Sequence, residues 1–266
     1  MVIKHILIAH DLRSTADLAL RRAAQLARQH HARLTLLHVI DSHQPAAARE
    51  TAEQALDSSL TRFAPAGSEL RLQIGRPAEV VLSQIQELKA DLLVLGAHHQ
   101  RHEFFSGTTL DRIAHGCQIP LLLASIDDDA PYQRALAALN FSLCACSAFG
   151  HAYRLLPAAA ELHALHVFEA PRGSPAEVET QLATQCMLIE QLLADETRNL
   201  PAKGPKLSHE VQPGTLPRTL HEAIVKYQPQ LLVLGCRGRS ALSQALLGSL
   251  AQHYLHKAPC DVLVVP

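Results

Sequence analysis

The chain has no surplus of charge of either sign: 24 Lys and Arg stand against 25 Asp and Glu, for a formal net charge of −1. A protein that grips nucleic acid through its phosphates needs a basic excess, so that class is set aside. No stretch reaches the ~18 consecutive apolar residues that span a bilayer. The opening MVIKHILIAHDLRS is apolar only briefly and lacks a small-residue cleavage site, so it reads as a strand rather than an export signal. The six cysteines (117, 144, 146, 186, 236 and 260) show no CxxC spacing, which fits reduced thiols in a cytoplasm better than a disulfide framework. HExxH, a serine elbow and a paired-carboxylate pattern are all missing. These absences leave a soluble, cytoplasmic globular protein with no membrane or nucleic-acid partner and no evident catalytic motif.

What the chain does have is repetition. With 266 residues, 48% of them hydrophobic, it is long enough for two domains of about 130 residues, each with its own core. ADLLVLG at 90–96 returns as PQLLVLG at 229–235, and LLHVID at 36–41 as ALHVFE at 164–169. HDLRS at 10–14 has a fainter echo in LNFSL at 139–143, IGRP at 74–77 in PGTLP at 213–217, and GTT at 107–109 in GSL at 248–250. Landmarks repeated in one order imply two copies of one domain. The copies are placed at 1–126 and 133–266, with DDDAP at 127–131 as the linker.

Each copy alternates short apolar runs with helical patterns. Strands are expected at 3–9, 34–40, 70–74, 91–95 and 120–124. Ala19, Ala23, Leu26 and Ala27 share one helical face, as do Val81, Leu82, Ile85 and Leu88, and in the second copy Leu220, Ala223, Ile224 and Tyr227. Continuously apolar strands separated by helices predict a parallel sheet covered on both faces, with ligands at the carboxyl ends of its strands.

The segment LGCRGRSALSQALLGSL at 234–250 sits at such an end. It has neither GxxxxGK followed by Ser or Thr, nor GxGxxG opening a helix after the first strand. Its glycines, Gly235, Gly238 and Gly248, instead follow G-x2-G-x9-G and lead into Ser249. Ser249, with Gln252 three residues on, is expected to cap a helix. A helix N-terminus presents unpaired N–H groups, and Arg237 and Arg239 add positive charge, so a phosphate is the natural guest. The plain alternative is an ordinary turn and an ordinary capped helix.

The G-x2-G-x9-G-S loop resembles that of the nucleotide-binding universal stress proteins. HDLRS, the strand endings HVID and HVFE, and the closing APCDVLVVP resemble the same family, so the likeness covers both copies. The resemblance implies two tandem Rossmann-like α/β domains of the adenine nucleotide alpha hydrolase-like kind, each a five-stranded parallel sheet flanked by helices. It implies final strands, Leu121–Ala124 and Val262–Val265, that pair about a pseudo-twofold axis. It also implies ATP, accompanied by Mg2+, as ligand, and a homodimer of tandem chains acting on a protein partner that the residues do not identify.

Carried over by position, the base and ribose contacts in the second copy fall on Asn140 and Val167, and the phosphate contacts on Leu234, Gly235, Arg237, Gly238, Arg239, Gly248, Ser249 and Leu250. Asn140 stands where the family has aspartate, which opens the question of base selectivity because an amide can donate where a carboxylate only accepts. In the first copy Asp11, Val39, Gly96, Gly107 and Thr108 match, but His99 replaces the middle glycine and the loop is two residues shorter. ATP is therefore expected in the second copy, as the ligand of a nucleotide-responsive stress protein with slow hydrolysis or none. Two alternatives stand beside this: a slow ATPase using His166 or Glu169 as base, and a metal- or apolar-ligand module in the first copy. In the latter, zinc would be held by His98, His99 and His102 beside His10 and Asp11.

Overall fold

The computed structural model describes residues 3–40, 45–97, 106–170, 174–236 and 247–266. The chain divides into two compact units, residues 1–131 with 243–262, and residues 132–242 with 263–266. In the first unit β1 (His5–Ala9), α1 (Ser14–His30), β2 (Arg33–Ile40), α2 (Ala46–Phe63), β3 (Glu69–Ile74), α3 (Pro77–Leu88), β4 (Leu92–Gly96), α4 (Ser106–Gly116) and β5 (Leu121–Ala124) follow in order. In the second half come β6 (Arg134–Ala138), α5 (Leu143–Leu155), β7 (Glu161–Phe168), α6 (Pro175–Thr197), β8 (Lys206–Pro213), α7 (Leu216–Tyr227), β9 (Leu231–Gly235), α8 (Ser249–His256) and β10 (Asp261–Val265). Helix α8 and the first two residues of β10 belong to the first unit, although the repeat assigns them to the second copy.

The first unit orders its strands β3-β2-β1-β4-β5, all parallel. The second runs β8-β7-β6-β9, again parallel, and the end of β10 lies beside β9, where Cys236 N–H donates to the Val265 carbonyl at 2.7 Å. The central strands are buried on both faces: every residue of β4 and the first four residues of β9. Burying an LLVL run in this way contributes about 1.5–3 kcal/mol per side chain.

The predicted helix faces pack inward. Ala19, Ala23, Leu26 and Ala27 are buried, as are Val81, Ile85, Leu220, Ala223 and Ile224, whereas Leu82, Leu88 and Tyr227 of the expected faces are half-buried. α1, α3 and α7 end on residues in the left-handed region, His31, Lys89 and Gln228. The repeat is visible in one strained turn. Gly75 and Gly214 precede α3 and α7 with φ of +149° and +151°, which side chains avoid, and a Cβ there would press on Val80 or Thr219. The copies differ most in α6, whose 23 residues exceed the 18 of α2, and which opens with a capping box between Ser174 and Glu177.

Candidate functional site

In the first unit the strand order reverses between β1 and β4, and a cavity of about 450 Å³ opens at their carboxyl ends. Asp11, Arg13, Val39, Gly96, Thr109 and Ile113 are among its lining residues. Three of these, Asp11, Val39 and Gly96, are sequence-predicted site residues, so the fold brings together side chains far apart in the chain. Arg13, Thr109 and Ile113 were missed. An arginine four residues after a strand and the interior of a helix carry no motif of their own.

The turn after β1 is tightly organised. Asp11 Oδ1 accepts the Arg13 N–H at 3.1 Å, and Arg13 Nε lies 3.5 Å from Asp11 Oδ2. Leu12 adopts φ of +66°, and its N–H donates to His10 Nδ1 at 3.0 Å. His10 therefore carries its proton on Nε2, which donates to Asp17 Oδ1 at 3.1 Å. Both ring nitrogens are occupied, so His10 belongs to the turn and leaves no lone pair for a metal. His98, His99 and His102 lie outside the described residues, and among the described residues no three His, Cys, Asp or Glu side chains form a metal-binding group.

Burial lowers the His10 pKa from its ordinary 6.5, with the Asp17 hydrogen bond opposing that shift in part. His5 and His151 are lowered for the same leading reason. The folded state then binds fewer protons than the unfolded chain. This stability is present above about pH 6.5 and is lost as pH falls through the lowered folded-state values. Thermal melts at about pH 7.5 and 5.5 should show a lower Tm at 5.5; an equal or higher Tm in acid would contradict the burial argument.

The turn after β6 repeats this frame. Asn140 Oδ1 accepts the Ser142 N–H at 2.8 Å, and Ser142 caps α5 by accepting from Ala145 N–H. Val167 is half-buried, as is Val39, and Leu234 is buried. His166 is only 3% exposed; its Nδ1 donates to the Leu139 carbonyl at 2.9 Å and its Nε2 lies 3.1 Å from the Gln185 amide. Both ring nitrogens of that histidine are engaged, and Glu169 is exposed.

The loop glycines have a physical duty before any ligand arrives. A Cβ on Gly96 would stand 2.9 Å from the Thr15 carbonyl oxygen and 3.2 Å from Ala16 Cα. On Gly235 it would meet the Cys144 carbonyl carbon at 2.8 Å and Ala145 N at 2.9 Å. The first thing to approach each glycine is thus the opening backbone of the neighbouring helix. Gly248 is the N-cap of α8 with φ −66° and ψ 145°, and Ser249 is the first helical residue. This corrects the expectation of a serine cap: the cap must be extended, and here the glycine takes that conformation. Ser249 is exposed and Leu250 half-buried. Helix α4 begins at Ser106, so Gly107 and Thr108 fall in its first turn, and Asp111 accepts from His256 Nε2 at 2.8 Å. Arg237, Gly238 and Arg239 lie outside the described residues.

The universal stress protein family model matches the chain twice, over residues 3–125 and 131–266. The chain belongs to the universal stress protein family. A universal stress protein of Mycolicibacterium smegmatis is 27% identical over 288 residues, covering 98% of this chain and 96% of its own length. One from Methanocaldococcus jannaschii is 30% identical over 110 residues, 40% of this chain and 65% of that protein. The crystal structure of a universal stress protein from Archaeoglobus fulgidus superposes with a TM-score of 0.75 at 16% identity, covering 98% of this chain and 97% of that one. The likeness to the M. smegmatis protein over nearly both full lengths is what a tandem universal stress protein requires. Among the described residues no helix is long and apolar enough to cross a membrane.

Proposed function

We propose that this tandem universal stress protein binds an adenine nucleotide and passes its occupancy on through conformation, serving stress resistance as a regulator and not as an efficient enzyme. The observation that carries this reading is the cavity at the carboxyl ends of β1 and β4, lined by the very residues, Asp11, Val39 and Gly96, at which the family resemblance puts the base and its surroundings. The G-x2-G-x9-G-S loop supports a triphosphate, ATP with Mg2+, in the C-terminal half. Asn140, Val167, Leu234, Gly235, Arg237, Gly238, Arg239, Gly248, Ser249 and Leu250 are its proposed contacts. Nucleotide at 100 times its Kd would add about 2.7 kcal/mol to the liganded form, enough to shift a conformational balance without chemistry. With His166 buried and bonded, hydrolysis is slow or absent. The protein would work in the cytoplasm as a dimer of tandem chains.

Native mass spectrometry of gently purified, untagged protein tests this. The expected mass includes ATP, and Gly248→Val removes the C-terminal share. A chain that binds no nucleotide even with ATP added would overturn the proposal. A second reading is favoured by the walls of the same cavity, where Leu37, Val81, Leu95 and Ile113 offer a largely apolar surface. An apolar ligand would then occupy the first unit, and would appear in the same spectra as an organic adduct. Metal analysis of the same untagged protein tests zinc at His98, His99 and His102.

A further inference from the structure

The turn after β1 holds a backbone strain that the turn after β6 lacks. Among the described residues four non-glycine residues have positive φ, and three of them, His31, Lys89 and Gln228, close helices at their C-termini. The fourth is Leu12, at φ +66°, which closes none. A side chain avoids this region because its Cβ crowds the following carbonyl oxygen, so Leu12 must be held there. The holder is His10: Leu12 N–H donates to its Nδ1 at 3.0 Å, while its Nε2 donates to Asp17 Oδ1 at 3.1 Å. His10 is only 6% exposed, so water does not compete for either bond.

The second half supplies the comparison, because its turn stands on the same frame. His10 N–H donates to the Leu37 carbonyl at 2.9 Å, and Leu139 N–H to the Leu165 carbonyl at 2.8 Å. Asp11 and Asn140 each accept the N–H two residues on, at 3.1 and 2.8 Å. Leu139, however, stands in the place of His10 and has no acceptor on its side chain, and Phe141, in the place of Leu12, is not left-handed. The left-handed turn thus occurs where the histidine is present and not where leucine replaces it. Only the first of these turns is seen to wall a cavity among the described residues: Asp11, Leu12 and Arg13 all line the space of about 450 Å³, and Leu12 is left 44% exposed there.

An imidazole nitrogen accepts a hydrogen bond only while it carries no proton. When His10 gains a second proton, Nδ1 becomes a donor and meets the Leu12 N–H donor against donor. The bond is lost, and with it what holds the backbone left-handed. We propose that His10 is an acid-released latch on the first-unit cavity: its protonation frees Leu12 and reshapes the wall that Asp11, Leu12 and Arg13 form. The charged and titratable groups that face His10 are Asp17 on α1, Asp11 in the turn with Arg13 beside it, and His38 on β2. β4, on the other side of β1, is LLVLG and carries none. The two carboxylates favour the imidazolium, whereas burial and His38 oppose it. Burial is the largest of these effects, so the latch opens below the ordinary histidine value of 6.5. The device concerns the shape of the cavity and stands whichever ligand, nucleotide or apolar, the cavity takes.

Nuclear magnetic resonance of the full-length, ligand-free protein, titrated from about pH 7.5 to about pH 5, tests the latch. At the neutral end the His10 ring should show the Nε2–H tautomer. As His10 titrates, the exchange protection of the Leu12 amide, corrected for its intrinsic rate, should fall roughly 10-fold, the worth of one hydrogen bond. Resonances of Val39, Thr109 and Ile113, which line the cavity from other elements, should shift with the same midpoint. The Ser142 amide is the control: its acceptor, Asn140, does not titrate, so its protection should hold. Equal losses at Leu12 and Ser142 would mean a general loosening in acid and overturn the proposal. So would unchanged Leu12 protection, whether or not His10 titrates, or cavity resonances that do not follow the step. His10→Leu, which installs the residue of the second half, should leave the Leu12 amide poorly protected at every pH. Retention of the acid step in that variant also overturns the latch, and if the variant does not fold, the titration of the parent chain decides alone.

Discussion

Asp261→Asn should cost the protein about 3–5 kcal/mol, the loss typical of breaking a buried ion pair from one side. Arg22 and Asp261 are only 1% and 0% exposed, and Arg22 Nε donates to Asp261 Oδ2 at 3.1 Å. The other carboxylate oxygen accepts the N–H groups of Ser125 and Ile126 at 2.7 and 3.0 Å. Three of the remaining guanidinium protons go to Gln25, to the Asp128 carbonyl and to the Ala130 carbonyl. With the carboxylate gone, a full positive charge stays buried without its counter-ion. Urea unfolding followed by circular dichroism measures the loss, and a change below about 1 kcal/mol would show that water or rearrangement replaces the pair. An Arg22→Met, Asp261→Leu double variant should recover only part of it, because the Ser125 and Ile126 N–H groups then lose their acceptor.

Gly96→Ala and Gly235→Ala should each destabilise the nucleotide-free protein by about 1–3 kcal/mol, the usual cost of overpacking. The atoms that a new Cβ would strike are main-chain atoms of Thr15 and Ala16 in one half and of Cys144 and Ala145 in the other, which cannot swing aside as a side-chain tip can. Melting curves recorded without nucleotide are the right measurement, since a packing role needs no ligand. An unchanged Tm combined with lost nucleotide binding would return these glycines to a purely phosphate-binding role. Gly67 is the internal control: a Cβ there would have nothing within 4 Å of it, so Gly67→Ala should meet only the strain of its +84° φ.

Much of this molecule was legible in one dimension because its signals are local. HILIA, LLVLG and DVLVV are continuously apolar over strand length, and only a sheet covered on both faces accommodates such runs. The repeat added topology, since two copies of an alternating pattern must form two similar sheets. Asp11, Val39 and Gly96 could be grouped because each lies at or just past the end of a strand, and parallel strands gather their carboxyl ends at one side.

Arg22 shows the opposite case. On the helical pattern it lies beside Ala19, Ala23 and Leu26, an oddity on an apolar face, and its partner Asp261 is 239 residues away. No period or motif pairs residues at that distance; the pairing exists because α1, the segment after β5 and the start of β10 are packed into one unit. The cap of α8 was misplaced by one residue because serine is the better cap by composition, while the backbone angles that decide the matter fall on Gly248. Local patterning thus determined the elements, the repeat and the family. Tertiary packing alone decided which glycines are pressed by helix backbone and that His166 has both ring nitrogens engaged. Those questions turn on contacts between distant segments, and they are answered only when the chain is folded.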